Sequence, residues 1–351
     1  MKKYILFFLL LFIFPISIYA HSRSTIVMDV DSGRVLYAKN SSEKQLIASI
    51  TKIMTAIVVL ENCDMEKEIT VGEEVLSMYG TNIYIKPGEV IKVKDLLYGL
   101  MLRSGNDAAI TLAVQTFGEE EFIKKMNDKA KELGMRNTLF QNPHGLDDDT
   151  KNSSTAYDMA LLGRYAFQNQ LYRKIISTKR YITKSSLKSY DWYNRMSLLN
   201  RYEYCVGGKN GYTPRAGKTL VSYAQKGNAT LMIVTLDNDN IYEMHRQLYE
   251  TYFSKYKKYI IINPHTFHLN SNIIQGHYNI KDSFEYLLSE NEIGKVSTLI
   301  EFYPVTKEKK AGLVHIKLYD KEIGTLDIYQ DDTIKKEDIS IFQKIRNLFI
   351  R

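Results

Sequence analysis

The chain has 351 residues, of which 44% are hydrophobic and 25% are charged, and its formal net charge is +7. This length and composition exclude a disordered or fibrous chain and predict a globular protein of two domains. The basic residues are scattered along the chain, which argues against nucleic acid as a partner and favours an anionic envelope or membrane surface. Cys63 and Cys205 are too few for a disulfide scaffold, and we expect two free, partly buried thiols unless the fold brings them together.

The N-terminal segment, residues 1–20, has the pattern of a secretory signal peptide. Lys2 and Lys3 precede an apolar run over residues 4–14, and the small residue Ala20 offers a cleavage point. We therefore expect an exported protein whose leader is either removed after Ala20 or retained as an N-terminal anchor.

The segment Ser49-Ile50-Thr51-Lys52 lies in an apolar stretch, residues 47–60, whose hydrophobic positions recur at helical spacing. Residues at i and i+3 share a helix face, so the Ser49 hydroxyl and the Lys52 amine can meet. An ammonium in such surroundings is costly unless its pKa falls, and a lowered pKa makes Lys52 a base for the Ser49 proton. The alternative is a capping serine followed by a lysine that extends to solvent.

Two later segments combine polar side chains with apolar neighbours. Ser104-Gly105-Asn106 follows an apolar run and predicts a turn that offers a hydroxyl and an amide to a cleft. Lys209-Asn210-Gly211-Tyr212-Thr213 precedes a predicted strand, where Gly211 lets the backbone approach a ligand and Lys209 supplies a positive charge. The three segments in this order are more specific than any one alone.

Strand and helix signals mix along the chain without a regular βαβ alternation. Hairpins are predicted over 25–37 and 219–236, and helices over 119–133 and 155–167, the second opened by a Thr155–Asp158 capping box. This pattern predicts an α+β fold in which helices flank an antiparallel sheet.

A change in the sequence pattern, from mixed helix and strand signals to strand signals alone, marks a second domain. Residues 296–303, 312–319 and 322–329 have the pattern of short strands separated by polar turns. We therefore expect a small all-β domain over 261–334, after a first domain over 21–260.

The C-terminal segment, residues 335–351, places apolar and basic residues at helical spacing. Ile345 and Leu348 belong to the apolar stripe, and Lys344 and Arg346 lie beside it. The stripe is too short to span a bilayer, so it predicts an amphipathic helix that anchors the protein on the membrane surface. The alternative is a terminal helix that packs its stripe on the β domain.

The three polar segments together resemble the SxxK, SxN and KTG motifs of the serine D-Ala-D-Ala carboxypeptidases, the low-molecular-mass penicillin-binding proteins. The likeness covers roughly residues 24–254 and includes Lys86-Pro87-Gly88-Glu89 and Asn142-Pro143-His144-Gly145. It implies the penicillin-binding/β-lactamase-like fold, peptidoglycan stem peptides as substrates, and β-lactams as covalent inhibitors. It implies no cofactor and no metal, and the histidine spacing gives no metal-ligand pattern.

The resemblance also implies a role for each motif residue. Ser49 would attack the terminal D-Ala-D-Ala peptide bond and become acylated, Lys52 would accept its proton, and water would then release the acyl group. Ser104 would relay protons toward the leaving nitrogen, and Asn106 would hydrogen-bond Lys52 or the substrate amide. Backbone N–H groups of Ser49 and Tyr212 would form the oxyanion hole.

One motif position departs from the family. Asn210 stands where threonine is usual, and its amide also donates a hydrogen bond but is longer and flat. Substrate affinity and β-lactam sensitivity are therefore the two properties that the resemblance does not carry over to this chain. Arg195 is either a second carboxylate ligand or an exposed arginine without that role. The expected substrate-binding residues are Lys209, Asn210, Gly211, Tyr212, Thr213 and Arg195.

Three functions fit these motifs. The leading one is an exported D,D-carboxypeptidase, peripheral on the outer face of the cytoplasmic membrane, that trims stem peptides in cell-wall maturation. A serine β-lactamase fits less well, because such enzymes lack the small β domain and nothing in the sequence looks like their deacylating Glu loop. The third is a degenerate relative that binds muropeptides or β-lactams without turnover. The replacement of threonine by Asn210 is the feature that supports this third function.

Overall fold

A computed structural model of the chain describes residues 22–267, 269, 278–304 and 309–330, and the strand Lys344–Leu348. The predicted signal peptide over 1–20 lies outside the described residues. Within the described part, every helix is too short or too polar to cross a bilayer.

The first domain combines one large antiparallel sheet with two groups of helices. Its strands in chain order are β1 (Ser22–Asp29), β2 (Val35–Lys39), β3 (Gln45–Leu46), β4 (Glu68–Thr70), β5 (Val90–Lys92), β6 (Ser153–Ser154), β7 (Arg180–Lys184), β8 (Ser189–Tyr193), β9 (Cys205–Thr213), β10 (Gly217–Lys226) and β11 (Ala229–Asn238). Its helices are α1 (Lys52–Asn62), α2 (Val93–Tyr98), α3 (Asn106–Phe117), α4 (Glu119–Glu132), α5 (Ala156–Gln168), α6 (Gln170–Ser177), α7 (Leu198–Arg201) and α8 (Ile241–Lys255).

The large sheet has the order β2-β1-β11-β10-β9, and each neighbouring pair is antiparallel. β10 and β11 are buried along most of their length because helices cover both faces, and this explains their continuous apolar sequences. Both predicted hairpins are confirmed. β9 is an edge strand of the sheet. Its unpaired edge faces the site described below.

Helix α1 lies at the centre of the larger helical group. Its residues from Lys52 to Val59 are all buried, as expected for a helix enclosed by other elements. The helix predictions over 119–133 and 155–167 are confirmed, and the Thr155 hydroxyl accepts a hydrogen bond from the Asp158 N–H at 3.0 Å. The two cysteines are free thiols, with Cys205 buried and Cys63 half-buried.

The second domain is all β, as the sequence predicts. Its strands are β12 (Tyr256–Ile262), β13 (Tyr278–Asn279), β14 (Phe284–Ser289), β15 (Val296–Phe302), β16 (Lys310–Leu318), β17 (Lys321–Gln330) and β18 (Lys344–Leu348). β12 pairs with β14, and the other strands form a sheet in the order β13-β17-β16-β15-β18. Because β12 follows α8 directly, the β domain begins near residue 256, slightly before the predicted boundary at 261.

The C-terminal segment differs from its predicted secondary structure. Lys344–Leu348 forms strand β18, antiparallel to β15, where the sequence pattern predicts part of an amphipathic helix. The helix prediction is wrong for these residues; the rest of 335–351 lies outside the described residues. The free edge of β15 supplies backbone hydrogen-bond partners to this segment, which is too short to be a stable isolated helix. The spacing of apolar residues within the segment gives no information about that edge.

Arg34, just after the turn between β1 and β2, joins the two domains. Its guanidinium donates to the Leu287 carbonyl oxygen, forms an ion pair with Glu292, and lies 5.2 Å from the ring centroids of both Tyr256 and Tyr286. These contacts hold the β domain against the far end of the large sheet.

Candidate active site

Ser49 lies in a tight turn at the N-terminus of the central helix. The 3₁₀ turn Ala48–Thr51 leads directly into α1, so Ser49 and Lys52 are one turn apart. The Lys52 Nζ lies 3.2 Å from the Ser49 Oγ, as the i, i+3 spacing predicts. Ser49 is partly exposed while Lys52 is fully buried, so the hydroxyl faces a cleft and the amine lies behind it.

The Lys52 amine has two acceptors besides the serine. Its Nζ donates to the Asn106 Oδ1 at 2.7 Å and to the His144 carbonyl oxygen. Burial, and then the charge of Lys209, lower the pKa of Lys52 well below its usual range, although Asp107 acts in the opposite direction. A neutral amine has two N–H groups and one lone pair. Because Asn106 and His144 take both N–H groups, the lone pair is left for the Ser49 hydroxyl proton.

Asn106 is fixed by hydrogen bonds on both sides of its amide. It begins α3 and is buried; its Oδ1 accepts from Lys52, and its Nδ2 donates to the Tyr79 carbonyl oxygen at 2.7 Å. Since a carbonyl oxygen can only accept, the Tyr79 contact turns the amide oxygen toward Lys52. The expected contact between Asn106 and Lys52 is therefore present.

The neighbouring Asp107 holds the wall of the cleft. Its carboxylate accepts from the backbone N–H groups of Ile83, Tyr84, Ile85 and Ala108 at 2.6–3.3 Å. Burial raises the pKa of this carboxyl group while the backbone donors act against it. Sequence reasoning did not assign Asp107 to the site, because its partners are backbone groups that leave no sequence signal.

Ser104 and Lys209 form a second hydroxyl–amine pair. Ser104 has a left-handed backbone, with φ +64°, at the end of the helical turn Gly99–Arg103, and its Oγ lies 3.0 Å from the Lys209 Nζ. The Lys209 Nζ also donates to the Asn210 carbonyl oxygen at 2.6 Å. Burial, and then the positive charge of Arg195, lower the pKa of Lys209 to about 7. Near neutral pH, this amine therefore exists in both protonation states.

Gly211 lets the β9 backbone approach the nucleophile turn. A Cβ atom at this position would lie 2.7 Å from the Ser49 backbone nitrogen and 3.1 Å from that of Ile50, so a larger residue would push the strand away. The next residue, Tyr212, is 61% exposed at the edge of the cleft. This places the backbone of β9 beside Ser49, as the expected oxyanion hole requires.

Thr213 and Arg195, like Lys209, make side-chain hydrogen bonds to other residues of the protein. The Thr213 hydroxyl donates to the Asp147 carboxylate at 2.7 Å and accepts from the Ala216 N–H at 3.0 Å, so it stabilises the end of β9. Arg195 is exposed, and its Nη1 donates to the Thr81 hydroxyl at 3.2 Å. Thr213 thus has the contacts of a structural residue, whereas Arg195 borders the cleft.

The segment around His144 packs against the turn that carries Ser49 and against helix α1. Gly145 has φ +90°, and a Cβ there would lie 2.1 Å from the Ala48 carbonyl oxygen. The preceding Pro143 carbonyl oxygen accepts from the Thr55 hydroxyl at 2.6 Å. The sequence motif signals a turn at this position, but it cannot show that the His144 carbonyl would be a ligand of Lys52.

The fold and the two hydroxyl–amine pairs define the structural class of penicillin-binding proteins and D,D-peptidases. The chain belongs to peptidase family S11, the D-alanyl-D-alanine carboxypeptidases, which it matches over residues 16–240. It is 39% identical over 220 residues to the D-alanyl-D-alanine carboxypeptidase DacF of Bacillus subtilis, covering 61% of this chain and 56% of that relative. The chain thus spans little more than half of the relative's length.

Solved structures show the same fold. A D-alanyl-D-alanine carboxypeptidase from Mycobacterium tuberculosis is 31% identical, with a TM-score of 0.64 over 66% of this chain and 91% of that one. Penicillin-binding protein 6B from Escherichia coli is 25% identical, with a TM-score of 0.70 over 88% of this chain and 95% of that one. The larger coverage shows that the likeness extends beyond the first domain.

Proposed function

We propose that the protein is a serine D,D-carboxypeptidase that removes the terminal D-alanine from peptidoglycan stem pentapeptides. The observation that carries this proposal is the buried amine of Lys52, whose two other hydrogen-bond partners leave it free to act as the base for Ser49. Family membership supplies the substrate class, since the matched relatives are named for this activity.

The first half of the proposed reaction is acylation. Lys52 takes the Ser49 proton while the Oγ forms a bond to the carbonyl carbon of the penultimate D-alanine. The oxyanion is stabilised by the backbone N–H groups of Ser49 and Tyr212, which the approach of Gly211 supports. The C–N bond then breaks, and the proton passes from Lys52 through Ser104 to the leaving amine of the distal D-alanine.

The second half is hydrolysis of the acyl-enzyme. Lys52, again neutral, takes a proton from water, and the hydroxide oxygen bonds to the acyl carbon. The Ser49 oxygen leaves with a proton returned from Lys52, which restores the resting site. A β-lactam would acylate Ser49 by the same first step, and its ring-opened product would keep the leaving group attached.

We further propose that the protein acts after export, on the outer face of the cytoplasmic membrane. The secretory pattern of residues 1–20 and the basic net charge of +7 support this location. Membrane association through the C-terminal segment stays a prediction. Lys344–Leu348 forms a strand where the sequence predicts part of that helix.

Purified protein mixed with a fluorescent penicillin, and separately with a stem pentapeptide, tests the proposal. We expect a stable covalent label and release of D-alanine. Rapid drug hydrolysis without D-alanine release would instead identify a β-lactamase, and a protein that yields neither product would be a non-catalytic relative.

A further inference from the structure

Arg215 lies in the turn between β9 and β10, at the end of the cleft opposite Lys209. Along β9, Lys209 precedes Gly211 by two residues and Thr213 follows it by two, while Gly211 itself contacts the Ser49 turn. The proposed reaction places the leaving D-alanine on the Lys209 side of Ser49. The rest of the stem peptide therefore extends along the strand toward Thr213 and Arg215.

Asp147 holds the Arg215 guanidinium at this end of the cleft. The Asp147 carbonyl oxygen accepts from the Arg215 Nη1 at 2.9 Å, and the Asp147 carboxylate accepts from the Thr213 hydroxyl at 2.7 Å. Thr213 lies two strand residues beyond Gly211, so the guanidinium that shares its partner lies about 10 Å from the reacting carbonyl at about 3.3 Å per strand residue. A group on the acyl part of the substrate, and not the leaving D-alanine, is within its reach.

The Arg215 side chain is exposed, and it forms no ion pair among the residues that the structure describes. A guanidinium has five N–H donors in a planar fork, so most of them remain available to a ligand. Asp148 and Asp149, which are also exposed, follow Asp147 directly. A simple anion would therefore meet negative charge as well as Arg215. A zwitterion avoids this repulsion, because an ammonium group lies beside its carboxylate.

We propose that Arg215 binds the carboxylate of a free amino-acid group at the end of the third stem residue's side chain, as a diamino dicarboxylic acid carries it. This inference rests on the proposed carboxypeptidase function. One residue of extended peptide covers about 3.4 Å and a side chain of four carbons adds about 5 Å, so such a group reaches the guanidinium. Arginine matches this carboxylate with two parallel N–H groups. Arg215 is then a specificity-determining residue, which selects a diamino dicarboxylic acid over lysine at that position.

Two N-acylated peptides that end in D-Ala-D-Ala test the proposal. They differ only in the preceding residue, which is diaminopimelic acid in one and lysine in the other, so that only the first has a side-chain carboxylate. For the wild type, kcat/KM should be about 10- to 100-fold higher with the diaminopimelic acid peptide, the effect of one or two charge-assisted hydrogen bonds.

Arg215→Gln should reduce this preference to less than about threefold while the value for the lysine peptide changes less than about threefold. Arg215→Lys should give an intermediate preference, because an ammonium keeps the charge but lacks the paired donors. The control Arg246→Gln removes an exposed guanidinium on α8 and should leave the preference unchanged.

The lysine peptide also reports whether the variant is folded, because its cleavage needs the same Ser49 chemistry. An equal loss on both peptides in Arg215→Gln, or a wild type without preference between them, would overturn the proposal. If the wild-type protein releases D-alanine from neither peptide, the proposed function itself fails, and that result is distinct from a change in the preference alone.

Discussion

Replacing Asn106 by aspartate tests the role of the Lys52 amine most sharply. The Asn106 Oδ1 lies 2.7 Å from the Lys52 Nζ, so Asn106→Asp puts a carboxylate in hydrogen-bond contact with the base. An opposite charge at this distance favours the protonated amine and raises the pKa of Lys52. The protonated fraction of the base therefore rises, and a protonated amine cannot take the Ser49 proton.

The size of the effect follows from the titration of the base. A neighbouring opposite charge shifts a pKa by about 1 to 3 units, and below the new pKa each unit lowers the neutral fraction about tenfold. Acylation at neutral pH should therefore fall about 10- to 1000-fold. Because a base with a raised pKa becomes neutral as the pH rises, the loss should shrink steadily on the alkaline side.

The assay is the rate of covalent penicillin labelling measured from pH 6 to 10, for the wild type and Asn106→Asp. Asn62→Asp adds the same charge at the exposed far end of α1 and serves as the control, with an unchanged pH profile expected. A loss that is the same at every pH would indicate structural damage. An unchanged rate would refute the assignment of Lys52 as the base.

Three other predictions concern different parts of the molecule. Asn210→Thr should raise pentapeptide acylation efficiency by up to about a hundredfold, and a clear loss of activity would show that the local structure has adapted to asparagine. Burial lowers the pKa of His245 to about 3, so the unfolded state binds more protons below its ordinary pKa of 6.5. The free energy of unfolding, measured with urea, should then fall as the pH drops from about 6.5 to 3, and His245→Gln should flatten that decline. If the C-terminal segment anchors the protein, truncation before Lys336 should abolish flotation with anionic liposomes while activity remains, and the loss of strand β18 should lower the Tm. Equal flotation of the full-length and truncated proteins would reject the membrane anchor.

Much of the site follows from spacing in the sequence. Ser49 and Lys52 meet because residues three apart share a helix face, and the buried surroundings of α1 are visible as apolar periodicity. The pairing of Ser104 with Lys209 joins residues 105 positions apart. No local rule predicts that contact, and only the resemblance to a known family places the two together.

Other features depend on partners that leave no pattern in the sequence. The His144 carbonyl and the backbone donors to Asp107 belong to the main chain, which every residue type carries. Strand β18 likewise depends on the free edge of β15, so a helical spacing of apolar residues predicts the wrong element there.

Intact mass spectrometry of the wild type and Ser49→Ala after penicillin exposure tests the central claim, with D-alanine release from a stem pentapeptide measured on the same samples. The wild type should gain one drug mass and release D-alanine. Ser49→Ala should do neither, because the oxygen that forms the acyl bond is absent. A full-occupancy adduct on Ser49→Ala, or D-alanine release at the wild-type rate, would contradict the proposed mechanism.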